Sequence, residues 1–214
     1  MTREFRFFDE KMGSVRGFVP DGYTGAWTVV YVHGHGVDVN EAWTKHELPK
    51  QFLESGLKAL FLAVEAPANG QQSVFVPDLP SLLLAVTKNT SIVPPSKVVA
   101  IGHSGAYRTL THWVDYDHLK QIILLDGLFG GVVPFAKYVL SGGKLTIIAT
   151  DRTSENSALL AKKVDVEYTK VNEDHMGLVT SGRYIPPLLK RSVAAGGGPL
   201  GFFLLLAAGL WVLR

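Results

Sequence analysis

The sequence predicts an α/β fold in which helices cover both faces of a mostly parallel central sheet. Continuous apolar, β-branched runs recur along the chain, and such runs are typical of strands buried on both faces. Helical segments lie in nearly every interval between these runs, which favours parallel strands joined by helical crossovers. With 214 residues, the chain is long enough for one sizeable hydrophobic core.

The first two predicted strands are short and lie at residues 4–8 and 14–19. Gly13 lies in the link between them, and a Pro-Asp-Gly sequence ends the second strand. These turn signals predict an antiparallel hairpin at the sheet edge.

Five apolar runs predict the buried strands of the sheet. They span residues 27–32, 59–64, 98–101, 121–125 and 144–149. A last segment, residues 164–171, alternates apolar and polar residues. This alternation predicts an edge strand that is half open to water.

Helices are predicted in the intervals between the strands. They span residues 48–54, 80–87, 106–114, 132–140 and 154–163. Pro49 lies in the first turn of the first of these helices, and Gly56 is its expected stop. Asp78 and Thr153 are predicted N-caps, and Asn40 is predicted to cap a turn after the first buried strand.

The composition limits the classes of function. The chain has 21 basic and 19 acidic residues with no basic stripe, so nucleic acid is not an expected partner. It contains no cysteine, which excludes disulfides and thiolate metal sites. His33 and His35 have no carboxylate close by in sequence, which favours a glycine turn over a metal pair. We therefore predict no metal and no cofactor.

The most informative stretch is GHSGA at residues 102–106. It follows an apolar run and precedes a helical segment, and a strand, a serine-bearing turn and a helix form a nucleophile elbow. Such a turn lifts the hydroxyl of Ser104 above the carboxyl ends of the strands, and the serine usually has a positive φ. Ala106 replaces the glycine of the commoner pattern, and His103 is expected to pack beside the turn. A Gly/Ser turn without chemistry is the alternative interpretation.

Other polar residues fall at the same edge of the predicted sheet. His33, Ser104, Asp126, Asp151 and His175 all lie at the carboxyl ends of predicted strands or just beyond them. Ligands of open parallel sheets bind at this edge. The positions therefore predict a functional site there.

The motifs resemble those of the α/β-hydrolase superfamily over roughly residues 27–189. The resemblance rests on VHGHG at 32–36, GHSGA at 102–106 and DHMG at 174–177. The order of serine, acid and histidine is the one this superfamily uses. The resemblance implies that Ser104 is a nucleophile and that His175 is its general base. A loop histidine without a role is the alternative for His175.

The resemblance leaves two candidates for the acid that orients the histidine. Asp151 follows the fifth buried strand, where the superfamily most often places the acid, and Asp126 ends the strand after the elbow, a position some lipases use. Either is equally an ordinary turn or loop residue. The resemblance also implies an oxyanion hole formed by the backbone N–H groups of Gly105 and His35, with Gly34 in the same loop.

These observations predict a serine hydrolase that cleaves a carboxylic ester or thioester of a small-molecule acyl substrate through an acyl-enzyme. A peptidase or an acyltransferase that uses the same residues is an alternative. A non-catalytic hydrolase-like scaffold held at a membrane is an alternative of another class. The sequence has no long insertion between strands, so no lid domain is expected.

We predict two parts, a hydrolase-like domain at residues 1–191 and a tail at 192–214. The tail has a glycine-rich hinge and then an almost wholly apolar stretch at 202–213, and it is long enough to cross a bilayer. Lys190 and Arg191 beside it favour a cytoplasmic domain with a C-terminal anchor. The charged N-terminus lacks the apolar run of a signal peptide. A terminal helix docked on the domain or on another subunit is one alternative, and a removable sorting tail, which would require a secretion signal, is another. The oligomeric state stays open.

Overall fold

A computed structural model describes residues 2–194, with side chains through residue 192. The strands are β1 (Arg3–Asp9), β2 (Gly13–Val19), β3 (Thr28–Val32), β4 (Leu60–Val64), β5 (Val98–His103), β6 (Leu119–Leu125), β7 (Lys144–Ala149) and β8 (Glu167–Lys170). The α-helices are α1 (Val39–Lys45), α2 (Leu48–Glu54), α3 (Leu79–Thr90), α4 (Tyr107–Leu110), α5 (Val132–Leu140), α6 (Ser154–Ala161), α7 (Gly177–Thr180) and α8 (Ile185–Ala194). A 3₁₀ turn, Ser104–Ala106, lies between β5 and α4.

The strands form one sheet in the order β1-β2-β4-β3-β5-β6-β7-β8. The pairs β1–β2 and β2–β4 are antiparallel, and all other neighbouring strands are parallel. The predicted hairpin therefore lies at one edge of the sheet and β8 at the other. The carboxyl ends of the six parallel strands meet at a single edge.

Two hydrophobic clusters form the core, one on each face of the sheet. Alternate strand residues contribute to them: Val30 and Leu62 pack with α3 to α6, whereas Val29 and Phe61 pack with α1, α2, α7 and α8. The strands are continuous apolar runs because both of their faces are covered. The prediction of a mostly parallel sheet between two helical layers is confirmed.

Two predicted helix ends were wrong in detail, and a third is at the predicted position without the expected cap hydrogen bond. Asp38 rather than Asn40 caps α1, and its carboxylate accepts the Asn40 N–H at 2.8 Å. The helix expected at 106–114 ends as an α-helix at Leu110 and continues in turns. Thr153 precedes α6 as predicted, but its hydroxyl donates to Asp126 at 2.6 Å instead of capping the helix.

The C-terminal helix α8 was not predicted, and it runs past the expected domain boundary at residue 191 to Ala194. The predicted apolar tail at 192–214 otherwise lies outside the described residues. Between residues 2 and 194, no helix combines the length and the apolar character that crossing a membrane requires.

The crossovers from β3 to β8 consist of short helices and loops. No inserted domain lies over the carboxyl edge of the sheet within the described chain. The loops at the carboxyl ends of the strands therefore determine the shape and the lining of the site.

Candidate active site

The chain turns sharply between β5 and α4, at Ser104. The φ angle of this serine is 52°, in the left-handed region that residues other than glycine rarely adopt. Strand and helix lie very close here, since a Cβ on Gly102 would be 2.4 Å from Leu110 Cδ1 and 3.0 Å from Ala106 Cβ. The methyl of Ala106 fits because residue 102 has no side chain. The strand, turn and helix predicted from the sequence are therefore present.

The loop after β3 contacts this turn. A Cβ on Gly34 would lie 2.7 Å from Ser104 Cβ, so the approach requires glycine. The imidazole of His35 covers Gly105, where an added Cβ would lie 2.3 Å from His35 Cδ2. The structure thus brings together the two residues whose backbone amides are the candidate oxyanion donors.

His33 holds this loop from inside the protein. Its buried ring donates from Nδ1 to the Gly34 carbonyl at 2.8 Å. Its Nε2 accepts the Ala66 N–H at 2.9 Å and lies 3.0 Å from a carboxylate oxygen of Glu65. Both ring nitrogens are therefore engaged in fixing the loop. Across residues 2–194, no group of three or more His, Asp or Glu side chains is placed to hold a metal ion.

His175 and Asp126 are joined by a short hydrogen bond. The Nδ1 of His175 lies 2.6 Å from Oδ2 of Asp126, which follows β6 directly. Asp126 is fully buried, whereas the His175 side chain is 14% exposed. Asp126 also has a positive φ of 45°. Its carboxylate is therefore turned toward the loop that carries the histidine by a backbone conformation that is costly for a non-glycine residue.

Two threonines complete the surroundings of the Asp126 carboxylate. Thr150 donates to it from its N–H at 3.0 Å and from its hydroxyl at 2.6 Å, and Thr153 donates from its hydroxyl at 2.6 Å. Burial raises the pKa of Asp126, but the hydrogen bonds from His175, Thr150 and Thr153 outweigh it and hold the pKa well below its ordinary value. Asp126 is therefore an ionised acceptor at neutral pH. Sequence analysis did not predict that either threonine belongs to the site, although Thr150 directly follows a predicted strand and Thr153 was expected only as a helix cap.

Asp151, the other candidate acid, lies at the surface. Its side chain is 90% exposed and lies 2.6 Å from the ammonium group of Lys170. The reason is its position in the turn after β7, where Thr150 faces Asp126 and the next residue faces solvent. The structure thus brings His175 to Asp126 and not to Asp151.

His175 also lies next to the serine turn. Its ring centroid is 4.4 Å from that of His103, the residue before Ser104. His103 Nε2 donates to the backbone carbonyl of His175 at 3.0 Å. Within the described residues, the Ser104 hydroxyl itself makes no hydrogen bond. In unliganded enzymes, hydrogen bonds between catalytic groups are often formed only when substrate binds.

Solved structures share this architecture. A ferulic acid esterase matches with a TM-score of 0.62 and 12% identity, over 89% of this chain and 97% of that chain. An S-formylglutathione hydrolase from Agrobacterium tumefaciens matches with a TM-score of 0.59 and 13% identity, over 91% and 94%. The Pyrococcus furiosus esterase Pf2001 matches with a TM-score of 0.57 and 14% identity, over 91% of each chain.

The protein has the α/β-hydrolase fold. No protein-family model matches its sequence, and no curated protein does either. The sequence identities are low enough that the shared property is the fold. The activity of a protein with this fold depends on the residues of its site.

Apolar side chains lie near His175. Phe129 is 44% exposed, and its ring lies edge-on to His175 with 6.2 Å between centroids. Met176, the next residue along the chain, is also exposed. Trp113, by contrast, is buried and donates its indole N–H to the Val76 carbonyl at 2.8 Å. Of the two aromatic residues, Phe129 lies at the site and Trp113 in the core.

Arg108, one turn into the helix after the serine, fixes a neighbouring loop. Its guanidinium donates to the carbonyls of Asn69 and Gln72 at 2.8 and 2.7 Å. Burial and the nearby Arg108 charge lower the pKa of His35, whose ring is therefore uncharged near neutral pH. The rim of the site thus combines a fixed cation with a neutral imidazole.

Surface clefts lie at both the amino and the carboxyl ends of the strands. One of about 310 Å³ is lined by Asp115, Tyr116 and Lys120 at the amino ends of β6 and β7, away from Ser104. Another of about 370 Å³ is lined by Asp151, Lys170, Val171 and Asn172. Asn172, which lines the second cleft, belongs to the same loop as His175.

Proposed function

We propose that the protein is a serine hydrolase that cleaves a carboxylic ester or thioester of a small-molecule acyl substrate. Ser104 is the nucleophile, His175 the general base and Asp126 the acid that orients it. The observation that carries this proposal is the 2.6 Å hydrogen bond between His175 Nδ1 and the buried Asp126 carboxylate, beside a serine at positive φ. An ordinary turn needs neither a strained serine nor a buried carboxylate.

The geometry assigns a role to each nitrogen of His175. Asp126 accepts a hydrogen bond only from a protonated Nδ1, so the neutral ring has its lone pair on Nε2. Nε2 takes the hydroxyl proton of Ser104 as the serine oxygen bonds to the substrate carbonyl carbon. The resulting imidazolium then gives that proton to the leaving alcohol or thiol. Water then attacks the carbonyl carbon of the acyl-enzyme while His175 Nε2 takes its proton. The bond to Ser104 breaks, the serine oxygen regains the proton from His175, and the carboxylic acid leaves.

The loop after β3 supplies the charge stabilisation. The backbone N–H groups of His35 and Gly105 would bind the oxyanion of the tetrahedral intermediate, and each such donor contributes roughly 2.7–4 kcal/mol. The contact between His35 and Gly105 supports this assignment, since both donors must face the same atom. Gly34 is required because any side chain there would displace Ser104.

Two observations support an ester or thioester as the substrate. The solved structures that share the fold include a ferulic acid esterase and an S-formylglutathione hydrolase. Phe129, whose ring is edge-on to His175, and Met176, the residue after His175, both provide exposed apolar surface. We therefore expect activity on small esters with an apolar acyl or leaving group.

A fluorophosphonate probe tests the proposal together with p-nitrophenyl acetate hydrolysis. Wild type should be labelled, and Ser104→Ala should be unlabelled with kcat/KM reduced by roughly 10⁶-fold, as follows from loss of a catalytic serine. Ser73→Ala is the matched control, because Ser73 is exposed on a loop, and it should behave as wild type. Equal labelling of Ser104→Ala and wild type would show that another residue reacts.

A non-catalytic, hydrolase-like binding module is the second candidate. It is favoured by the Ser104 hydroxyl, which has no hydrogen bond to His175 in the described structure. This candidate predicts that folded wild-type protein is not labelled and has no esterase activity above buffer.

A further inference from the structure

His103 lies between the serine turn and the loop that carries His175, the two parts of the proposed site that must act together. Its side chain belongs to the last residue of β5 and is only 3% exposed. Its Nε2 lies 3.0 Å from the backbone carbonyl of His175. A carbonyl only accepts hydrogen bonds, so this nitrogen carries the proton. Within the described residues, this is the only hydrogen bond between β5 or its serine turn and the His175 loop.

The two imidazole rings are also in direct contact. Their centroids are 4.4 Å apart with an angle of 37° between the planes. The other hydrogen bonds of the His175 loop do not contact the face of the His175 ring that meets His103. Asp126 holds Nδ1, and Asp174 accepts the N–H groups of Met176 and Gly177 within its own turn. His103 therefore limits how far the His175 ring can tilt toward β5.

His103 contacts the loop after β3 as well. A Cβ on Gly34 would lie 3.0 Å from the His103 carbonyl oxygen and 3.2 Å from its Nδ1. One imidazole thus lies against the nucleophile turn, the general base and the loop of the oxyanion hole. A substitution of this side chain is therefore expected to affect the relative positions of all three parts.

The ring of His103 is itself held in place and uncharged. His46 lies edge-on to it with 6.2 Å between centroids, and His46 Nδ1 is 2.9 Å from the Tyr31 hydroxyl. Burial and, to a smaller extent, the neighbouring His175 lower the pKa of His103 to about 3. A neutral ring avoids placing a positive charge against the imidazolium that forms on His175 during the reaction.

We propose that His103 is a positioning residue that holds the His175 imidazole between Asp126 and Ser104. It acts through its hydrogen bond to the His175 carbonyl and through the ring contact, and it does not touch the reacting atoms. This inference rests on the proposed function, because it assigns His103 a task in the reaction of Ser104 and His175.

Two variants separate the hydrogen bond from the volume of the side chain. His103→Phe keeps a ring but has no donor, and His103→Gln keeps an N–H donor at a similar reach. We expect kcat for p-nitrophenyl acetate to fall by roughly 10²-fold in His103→Phe with KM unchanged, since a small misplacement of a catalytic group has this effect. His103→Gln should recover at least tenfold of that loss. His112→Phe, at an exposed histidine, is the control and should retain wild-type kcat.

A spectroscopic readout makes the test independent of activity. The proton between His175 Nδ1 and Asp126 should give a low-field proton NMR signal, because the hydrogen bond is short and charge-assisted. The signal should broaden or move in His103→Phe and return in His103→Gln. If His103→Phe does not fold, His103→Asn replaces it, because its shorter amide does not reach the His175 carbonyl.

The outcomes distinguish this inference from the proposed function. Failure of the probe to label wild type would contradict the proposed function, whereas the NMR signal tests the positioning of His175 in either case. Unchanged kcat and an unchanged signal in a folded His103→Phe variant would overturn the role of His103. Equal losses in His103→Phe and His103→Gln, or a loss seen only in KM, would also overturn it.

Discussion

At the scale of single residues, Asp126 shows how the fold tolerates a buried charge. An isolated buried carboxylate would cost several kcal/mol, and hydrogen bonds offset that cost. His175, Thr150 and Thr153 supply four such bonds to its two oxygens. The arrangement keeps the carboxylate ionised and hydrogen-bonded to His175.

The two candidate acids give a matched pair of substitutions. Asp126→Asn should lower kcat/KM by about 10⁴-fold, the effect of the same change in a protease triad, because an amide can hold His175 in the wrong tautomer. It should also lower the free energy of unfolding by about 1–3 kcal/mol, because the amide N–H₂ faces threonine donors. Asp151→Asn should leave both quantities unchanged. Similar kinetic losses in the two variants would argue against a special role for Asp126.

The sequence identified Ser104 and His175 as candidates but did not separate Asp126 from Asp151. Both aspartates follow a buried strand, so the strand pattern treats them alike. The choice depends on a single turn, in which Thr150 faces inward and Asp151 faces solvent beside Lys170. Such an orientation is set by tertiary contacts, and no periodicity in the sequence reports it.

The buried His46 should make stability depend on pH. Burial lowers the pKa of His46 to about 4, so the native state stays unprotonated while an unfolded histidine takes up a proton below about pH 6.5. The contribution to stability is therefore complete above pH 6.5 and is lost as the pH falls toward 4. The loss amounts to about 3 kcal/mol.

Urea unfolding of His46→Asn at pH 7 and pH 4.5 measures this effect. The asparagine oxygen can replace Nδ1 as acceptor for the Tyr31 hydroxyl, and it does not titrate. The stability of the variant should therefore fall less than that of wild type over this range. His112→Asn, at an exposed position, should follow the wild-type curve. Parallel curves for all three proteins would show that His46 is not the responsible group.

At the scale of elements, the buried strands were predictable and several helices were not. Strands covered on both faces are continuous apolar runs, and all five such runs became β3 to β7. Helices α1 and α7 have seven and four residues, too short to show a clear periodicity, and they are stabilised by packing on the sheet. The edge strand β8 is shorter than its alternating pattern, because only Glu167–Lys170 pairs with β7.

The close approach of β5 and α4 predicts that a side chain at residue 102 destabilises the fold. A methyl in Gly102→Ala would lie 2.4 Å from Leu110 Cδ1 and should lower the free energy of unfolding by about 1–3 kcal/mol through overpacking. It should also lower kcat, since Ser104 lies in the turn that joins the two elements. Gly70→Ala is the control, because a Cβ at Gly70 meets no atom within 4 Å.

A double substitution checks the mechanism of the Gly102 effect. Leu110→Ala removes the clashing atom, so its cost and that of Gly102→Ala should combine to less than their sum in urea unfolding. Additive costs would show that the two side chains do not compete for the same space.

At the scale of the whole molecule, the proposed site draws on loops far apart in sequence. The sheet brings them together because each lies at or beyond the carboxyl end of a parallel strand. His33, Ser104 and Asp126 directly follow β3, β5 and β6, and His175 lies in the loop after β8. Residues 33–177 therefore contain every group that the proposed chemistry uses.

Deleting residues 196–214 should separate catalysis from localisation. The variant keeps α8 and both hydrophobic clusters, so kcat/KM for p-nitrophenyl acetate and the urea midpoint should match those of the full chain. The apolar stretch at 202–213 predicts that the full chain sediments with membranes and that the deletion variant stays in the supernatant. A full chain found only in the supernatant would contradict the predicted anchor, and a loss of activity on deletion would contradict the assignment of the site to residues 33–177.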